Sequence, residues 1–147
     1  MNPLSNFNFD NGVKGTVGMQ LCYKTIQLLG TERHHDWLRR IERGIDVGCF
    51  ALTEMGHGSN VKGIKTTAVY GKAAKQFVLN TPNREAMKFW IGGAAKSATV
   101  SMVFCQLIID GKSRGVHGFV VPLRNRQTFE PLPGITIGDC GKKIGHE

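Results

Sequence analysis

One stretch of this sequence constrains the fold more than any other, because an apolar run passes directly into a glycine-rich turn. The run covers residues 47–53 and ends at Thr53, and the turn covers residues 54–60. Two glycines in the turn, Gly56 and Gly58, allow the backbone to approach a ligand closely, and successive backbone N–H groups in such a turn can form a concave nest for phosphate or carbonyl oxygens. Glycine-rich turns after strands are common, however, and most of them only reverse the chain. The stretch alone predicts a strand, a turn and a candidate ligand site.

A second segment further along the chain, Lys88-Phe89-Trp90-Ile91-Gly92, strengthens the ligand interpretation. Together the two segments resemble the flavin-binding middle domain of acyl-CoA oxidases and acyl-CoA dehydrogenases, which carries a Thr-Glu-x-Gly-x-Gly-Ser turn followed by an aromatic-Trp-x-Gly segment. The resemblance continues through residues 63–68, 77–82, 115–124 and 131–139, and it covers nearly all of the chain from Gly30 to Gly145. So many matches in the same order are specific to the family.

Helical periodicity precedes the strand pattern. Apolar residues recur at roughly helical spacing from Val13 to Leu29, and Gly30 is placed as the C′ residue that stops this helix. Thr31 can cap a second helix, and Gly44 ends it. The pattern predicts a helical hairpin at the start of the chain.

After Asp46 the sequence changes to short apolar and β-branched runs separated by turns. The predicted strands are residues 47–53, 64–70, 77–81, 99–109 and 116–121. Short strands with frequent turns favour a small antiparallel β-barrel or sandwich, so the predicted fold class is α+β. The resemblance makes this the acyl-CoA dehydrogenase type of fold, with residues 1–45 as the end of an N-terminal helical domain and residues 46–147 as the middle β (flavin-binding) domain, incomplete at its C-terminus.

The formal net charge of +8 favours anionic partners. The basic residues are scattered, however, without a helical basic stripe or basic–aromatic alternation, which argues against nucleic-acid binding. A phosphate-rich nucleotide or CoA ligand explains the excess charge equally well, and a solvated surface explains it more simply. Arg124 and the lysines are therefore candidates for contacts to CoA phosphates, with solvated charge as the simpler alternative.

The cysteines and the apolar runs argue against other classes of protein. The four cysteines lie far apart, so neither a disulfide scaffold nor a metal site is predicted. They are Cys22, Cys49, Cys105 and Cys140. No apolar stretch approaches the roughly twenty residues needed to cross a membrane. Residues 1–10 match neither a secretory signal nor a transit peptide, and the C-terminus does not match a Ser-Lys-Leu peroxisomal address.

The resemblance implies FAD as the cofactor and four residues as its contacts. In the family, the Thr at the position of Thr53 hydrogen-bonds the isoalloxazine ring, whereas a Thr that only satisfies its own turn is the alternative. The Trp at the position of Trp90 lies close to the flavin, against the alternative of a core aromatic. Ser59 matches the family position near the pyrophosphate and the substrate thioester. Gly92 matches a further flavin contact that tends to be Gly in oxidases and a hydroxyl residue in many dehydrogenases; we hypothesise that Gly there leaves space for oxygen.

The resemblance also implies a reaction, the α,β-dehydrogenation of a fatty acyl-CoA to trans-2-enoyl-CoA in fatty acid β-oxidation. A glutamate base removes the α proton while hydride leaves the β carbon for flavin N5, and molecular oxygen reoxidises the flavin to give hydrogen peroxide. In the family this glutamate belongs to a C-terminal helical domain without a counterpart here, and the Glu at the position of Glu54 is structural. No catalytic residue is therefore assigned, and the chain alone is expected to be inactive. A homodimer of the full-length protein and a peroxisomal location are further implications.

Three interpretations stay open. The first, which the residues favour, is a segment of an acyl-CoA oxidase. The second is a segment of an acyl-CoA dehydrogenase that passes electrons to a flavoprotein partner, against which Gly92 and the Gly-His-Gly turn argue. The third is a short non-catalytic protein that keeps the β-domain fold to bind a nucleotide, an acyl-CoA or a partner subunit. Oxygen consumption separates the first two, and flavin retention tests the third.

Overall fold

The computed structural model describes residues 15–142. Predictions for the N-terminal segment, for Val13 as the start of the first helix, and for the C-terminal residues lie outside this range. The described chain divides into two compact units. The first unit contains the residues up to Phe50, Ile91–Met102 and the residues from Val120 onward, and the second contains Ala51–Trp90 and Val103–Phe119.

Two helical stretches open the described chain, as the periodicity predicts. The first begins as a π-helix, Thr16–Tyr23, and continues as an α-helix, Lys24–Leu29. The second begins with a 3₁₀ turn, Glu32–His34, and continues as an α-helix, His35–Glu42. The π-helical geometry was not predicted, because apolar spacing indicates a helix without distinguishing its hydrogen-bond pattern. Within residues 15–142, no helix is both long enough and apolar enough to cross a membrane.

Gly30 ends the first helix with an extended backbone (φ −77°, ψ 174°) and not with the left-handed conformation that is common at helix ends. The reason for Gly at this position is therefore steric. Its N–H donates to the Ile26 carbonyl at 2.9 Å, and a Cβ at position 30 would collide with that same oxygen. Thr31 follows as the predicted cap. Its N–H donates to Nδ1 of His34 at 3.0 Å, so the second helical stretch begins with a capping box in which a histidine is the acceptor.

Five strands follow, close to the five predicted runs. They are β1 (Gly48–Ala51), β2 (Thr67–Gly71), β3 (Gln76–Asn80), β4 (Val100–Ile109) and β5 (Lys112–Pro122). Their order in the sheet is β1-β4-β2-β3, and β5 pairs with β4. β5 begins earlier than predicted, because its first residues are polar and exposed and therefore do not contribute to an apolar pattern.

The sheet is mixed, so the predicted antiparallel arrangement holds only in part. β2 and β3 form an antiparallel hairpin with Thr67 opposite Asn80, whereas β2 and β4 run parallel with Thr67 opposite Gln106. Tight turns predict antiparallel neighbours, but a long connection also allows two strands to run in the same direction. The chain between β2 and β4 contains β3 and the Trp90 segment, and it is long enough for such a crossover.

A small apolar core lies in the first unit, with Cys49, Ala98 and Leu123 buried at its centre. Arg124 is buried beside it, and its guanidinium donates to the carbonyl oxygens of Ala94, at 2.6 Å, and Ala98, at 3.0 Å. These carbonyls belong to a turn of the same unit. The two sequence interpretations of Arg124, as a CoA phosphate ligand or as solvated charge, are therefore wrong, because the guanidinium is already committed to buried backbone acceptors.

The first unit also contains a fully buried carboxylate, that of Asp46. It accepts from Thr99 Oγ1 at 2.9 Å and from Arg126 Nε at 2.6 Å, and it forms an ion pair with Arg40 Nε at 2.8 Å. A buried charge requires such partners, because removing it from water is unfavourable. The second helical stretch, the residue before β4 and the loop after β5 are therefore linked through one side chain.

Candidate functional site

The two glycines of the Thr53 turn have different structural reasons in the second unit. A Cβ on Gly56 would lie 3.2 Å from Cβ of Glu85 and 3.3 Å from its carbonyl oxygen, so a side chain there would force a shift. A Cβ on Gly58 would lie 3.6 Å from Cγ2 of Thr53, which is ordinary contact. Packing within this unit therefore explains why position 56 is glycine, but it does not explain why position 58 is glycine.

Three backbone hydrogen bonds join the Thr53 turn to the segment that leads to Trp90. They run from Phe89 N–H to the Thr53 carbonyl (3.0 Å), from Met55 N–H to the Met87 carbonyl (2.8 Å) and from Gly56 N–H to the Glu85 carbonyl (2.9 Å). Two motifs that lie far apart in the sequence are therefore neighbours within one compact unit.

The side chain of Glu54 is fully buried at this junction. Its carboxylate accepts from the N–H groups of Lys65 (2.8 Å) and Thr66 (2.9 Å), from Thr66 Oγ1 (2.6 Å) and from Lys88 Nζ (3.1 Å). Burial alone raises the pKa of this carboxyl, but these hydrogen bonds outweigh it and lower the pKa to about 2. The carboxylate is therefore ionised at neutral pH and fully engaged with donors from its own unit.

Lys88 is the charged partner of this carboxylate, and only 12% of its side chain is exposed. Its ammonium donates to the carbonyl of Leu52 and to Oε1 of Glu54, both at 3.1 Å. Burial lowers the pKa of the ammonium, and the hydrogen bond to Glu54 partly opposes that effect. Lys88 therefore contacts the residues on both sides of Thr53, and the next residue, Phe89, bonds Thr53 itself.

Thr53 and Trp90, the two predicted ring contacts, keep their functional groups available. The Thr53 side chain is half-buried, and its hydroxyl has no hydrogen-bond partner among residues 15–142, so it is not satisfying its own turn. Trp90 is 65% exposed and has a left-handed backbone, with φ of +60°. Residues 15–142 therefore do not cover the Trp90 ring, and its role as a ring contact stays a prediction. Left-handed backbone is unfavourable for a bulky residue and frequently marks a functional position.

Ser59 and Gly92 lie in different units. Ser59 is exposed in the second unit, and its carbonyl accepts from the Val61 N–H at 3.0 Å. Gly92 is exposed in the first unit, where a Cβ would lie 3.2 Å from Cγ2 of Val17. Close packing against Val17 is therefore one local reason for Gly at position 92.

Residues 49–147, more than half of the chain, match the sequence profile of the acyl-CoA dehydrogenase middle domain. The chain belongs to this family. Its helical part and mixed sheet are accordingly an acyl-CoA dehydrogenase-type fold.

Known relatives of this chain are much longer proteins. The chain is 46% identical over 140 residues to peroxisomal acyl-coenzyme A oxidase 3 of Arabidopsis thaliana, a match that covers 93% of the chain and 21% of that protein. Acyl-CoA oxidase 3 of Yarrowia lipolytica superposes with a TM-score of 0.90 at 43% identity, covering 95% of the chain and 21% of that structure. Acyl-CoA oxidase-2 of Caenorhabditis elegans, solved with FAD, ascaroside-CoA and ATP, gives 0.83 at 40% identity, covering 88% and 20%. The chain spans about one fifth of the length of each.

The buried residue that joins the two motifs of this middle domain was missed at the level of sequence. The sequence predicts that Lys88 lies at the surface, because lysine is rarely buried unless it is paired. The signal that was available is position: Lys88 immediately precedes the aromatic pair, and Glu54 immediately follows Thr53. Opposite charges beside both motif positions indicate a pair once the motifs are assumed to be neighbours.

Proposed function

We propose that this chain is the flavin-binding middle segment of an FAD-dependent acyl-CoA oxidase. The whole enzyme converts a fatty acyl-CoA and molecular oxygen to trans-2-enoyl-CoA and hydrogen peroxide. The names of the Arabidopsis and Yarrowia relatives support the reaction, and the FAD in the C. elegans structure supports the cofactor. The observation that carries the proposal is the hydrogen bond between Phe89 and Thr53, because it joins a segment with an available hydroxyl to a segment with an exposed indole.

The side chains at this junction fit an isoalloxazine ring. A donor at Thr53 Oγ1 stabilises negative charge that develops on the ring during reduction, and the exposed indole of Trp90 offers a flat apolar surface. Ser59, with Gly58 before it, suits the pyrophosphate and the thioester end of the substrate, and close approach of this ligand supplies the reason for Gly58 that packing lacks. FAD, when bound, supplies the hydride-accepting chemistry.

We assign no general base within this chain. Glu54 is the buried carboxylate beside the proposed site, but its pKa of about 2 and its four donors make it a poor proton acceptor. The base and the remaining flavin contacts come from other segments of the enzyme, in keeping with the one fifth of each relative that the chain spans. The segment by itself is therefore inactive. The full-length enzyme is proposed to be a homodimer.

The further assignments follow the same proposal. Residues 1–45 end an N-terminal helical domain, residues 46–147 belong to the middle β domain, and strands from the rest of the enzyme extend the mixed sheet toward a barrel or sandwich. A peroxisomal location has the support of the name of the Arabidopsis relative. Gly92 favours an oxidase over a dehydrogenase, because oxidases of the family tend to have Gly at this position, and close packing against Val17 is a second reason for Gly there.

The test is peroxide formation by the full-length enzyme that contains this chain. With a fatty acyl-CoA in air, we expect one peroxide for each enoyl-CoA. Thr53→Val removes the hydroxyl and should slow flavin reduction by about 100-fold, while Thr53→Ser retains most of the rate. Thr128→Val, at an exposed threonine of the first unit, is the matched control.

Three results would contradict the proposal in different ways. Reoxidation by an electron-accepting protein but not by oxygen indicates a dehydrogenase. Binding of acyl-CoA without FAD indicates a non-catalytic binding protein. Flavin reduction that is unaffected in Thr53→Val removes Thr53 from the site.

A further inference from the structure

Two consecutive residues hold three consecutive residues around the proposed ring contact. The Lys88 ammonium binds the Leu52 carbonyl and the Glu54 carboxylate, and the Phe89 N–H binds the Thr53 carbonyl. All of these groups belong to the second unit. The residue that follows Phe89 is Trp90, so the same two-residue anchor precedes the other proposed ring contact.

We propose that Lys88 is a positioning residue for the flavin site, whose ammonium, bound on both sides of Thr53, fixes the Thr53 hydroxyl and the Trp90 ring relative to each other. This inference rests on the proposed function and deepens it. Lys88 itself has no contact with FAD in this proposal; it acts through Thr53 and Trp90.

The burial of the pair argues for a geometric role. The Glu54 side chain is fully buried and that of Lys88 nearly so, and apolar residues of similar volume would usually be as stable there, because burying two charges carries a desolvation penalty. A charge pair differs from an apolar pair in its directional hydrogen bonds, which determine where each backbone segment lies.

The conformation of Trp90 gives a second argument. Its left-handed backbone, φ of +60°, persists only if the surrounding structure holds it. The ring itself is 65% exposed and contacts Phe89 edge-on, with centroids 6.4 Å apart, so burial does not hold it. The anchor at Lys88 and Phe89 immediately precedes Trp90 in the chain and constrains it from within the second unit.

Lys88 can be changed without releasing Glu54, which makes the inference testable. Three other donors, from Lys65 and Thr66, still bind the carboxylate when the ammonium is removed. Lys88→Met keeps the length of the side chain, Lys88→Arg keeps the charge, and Lys88→Met with Glu54→Gln removes both charges together. Lys72→Met is the matched control, because Lys72 pairs with Asp110 at 2.7 Å with both side chains exposed.

The experiment uses the full-length enzyme, first without and then with FAD. In the apoprotein, Lys88→Met should increase hydrogen–deuterium exchange by about tenfold within residues 52–58 and 86–92, since opening frees the Phe89 N–H. In the holoprotein it should weaken FAD binding by about tenfold or more and shift the flavin spectrum and reduction potential in the same direction as Thr53→Val, because small displacements of contact groups are expensive. Lys88→Arg should restore part of each change, and Lys72→Met should change none.

Every outcome decides something. If Lys88→Met does not fold, the double variant takes its place, since it leaves no charge unpaired. A folded double variant with wild-type exchange, FAD affinity and flavin potential overturns the positioning role. If the wild-type enzyme binds no FAD, the proposed function fails, while the exchange measurement still tests whether Lys88 holds the two segments together.

Discussion

Within residues 15–142, each unit contains one fully buried carboxylate, and the two are stabilised differently. Glu54 accepts from two backbone N–H groups, one hydroxyl and one ammonium, whereas the partners of Asp46 are a hydroxyl and two arginines. The arginines reach water, with 42% of the Arg126 side chain and 22% of the Arg40 side chain exposed, against 12% for Lys88. The Glu54 carboxylate therefore binds backbone groups as well as side chains beside the proposed flavin contacts, whereas the Asp46 carboxylate binds only side chains, two of which reach solvent.

The largest expected effect is on stability. Glu54→Ala leaves the Lys88 ammonium buried with the Leu52 carbonyl but without a counter-charge, and it leaves the N–H groups of Lys65 and Thr66 without their acceptor. The free energy of unfolding should therefore fall by about 3–5 kcal/mol. Asp46→Ala should lower it by about 1–3 kcal/mol, because the heads of Arg40 and Arg126 can turn toward water. Urea unfolding of the two variants measures the difference. Equal losses would show that solvent access does not distinguish the two carboxylates.

Acid should act on the second unit through the same carboxylate. Burial raises the pKa of Glu54, but its hydrogen bonds lower it to about 2, against an ordinary value of 4.5. The folded protein therefore binds fewer protons than the unfolded chain between these values, and stability falls as the pH falls. The contribution of about 3 kcal/mol is complete above pH 4.5 and is lost as the pH falls through 2.

Unfolding of wild type and Glu54→Gln between pH 2 and pH 6 measures this contribution. The stability of wild type should fall more steeply toward low pH than that of the variant, which has no carboxyl at position 54. Parallel profiles for the two proteins would contradict the assignment of the effect to Glu54.

The smallest expected effects on stability come from the two glycines of the glycine-rich turn, and they distinguish a glycine required for packing from one required for the ligand. Gly56→Ala should lower stability by about 1 kcal/mol, because the new Cβ presses on Glu85 at 3.2 Å. Gly58→Ala should leave stability within about 0.5 kcal/mol, since its Cβ meets only ordinary contact, yet it should weaken FAD binding. Thermal unfolding and FAD titration check the pair. A loss of stability in Gly58→Ala and not in Gly56→Ala would contradict the prediction that Gly56 is required for packing and Gly58 for the ligand.

Local patterns predict much of this fold, because helices and hairpins depend on neighbouring residues. The helical hairpin, the capping role of Thr31 and the β2–β3 hairpin were all predicted from spacing and turn residues. The parallel pairing of β2 with β4 was not, because it depends on where a long connection returns the chain. The early start of β5 was missed because exposed strand residues carry no apolar signal.

In the candidate site, too, the sequence predicts what local motifs determine and misses what contacts between distant residues determine. Resemblance identified Thr53 and Trp90 from their motifs, and these residues remain the proposed ring contacts. The roles of Lys88 and Arg124 required coordinates, because a buried lysine or arginine has the same letter as a solvated one and differs only in its surroundings. Residues that touch a ligand are read from motifs more readily than the buried charges that hold them.

A structure of the full-length enzyme with FAD bound tests the central claim most directly. We predict Thr53 Oγ1 within hydrogen-bonding distance of the isoalloxazine ring, about 2.7–3.2 Å, the Trp90 indole in contact with the ring, and the Lys88–Glu54 pair intact behind them. An isoalloxazine ring that lies away from both Thr53 and Trp90 would contradict the account.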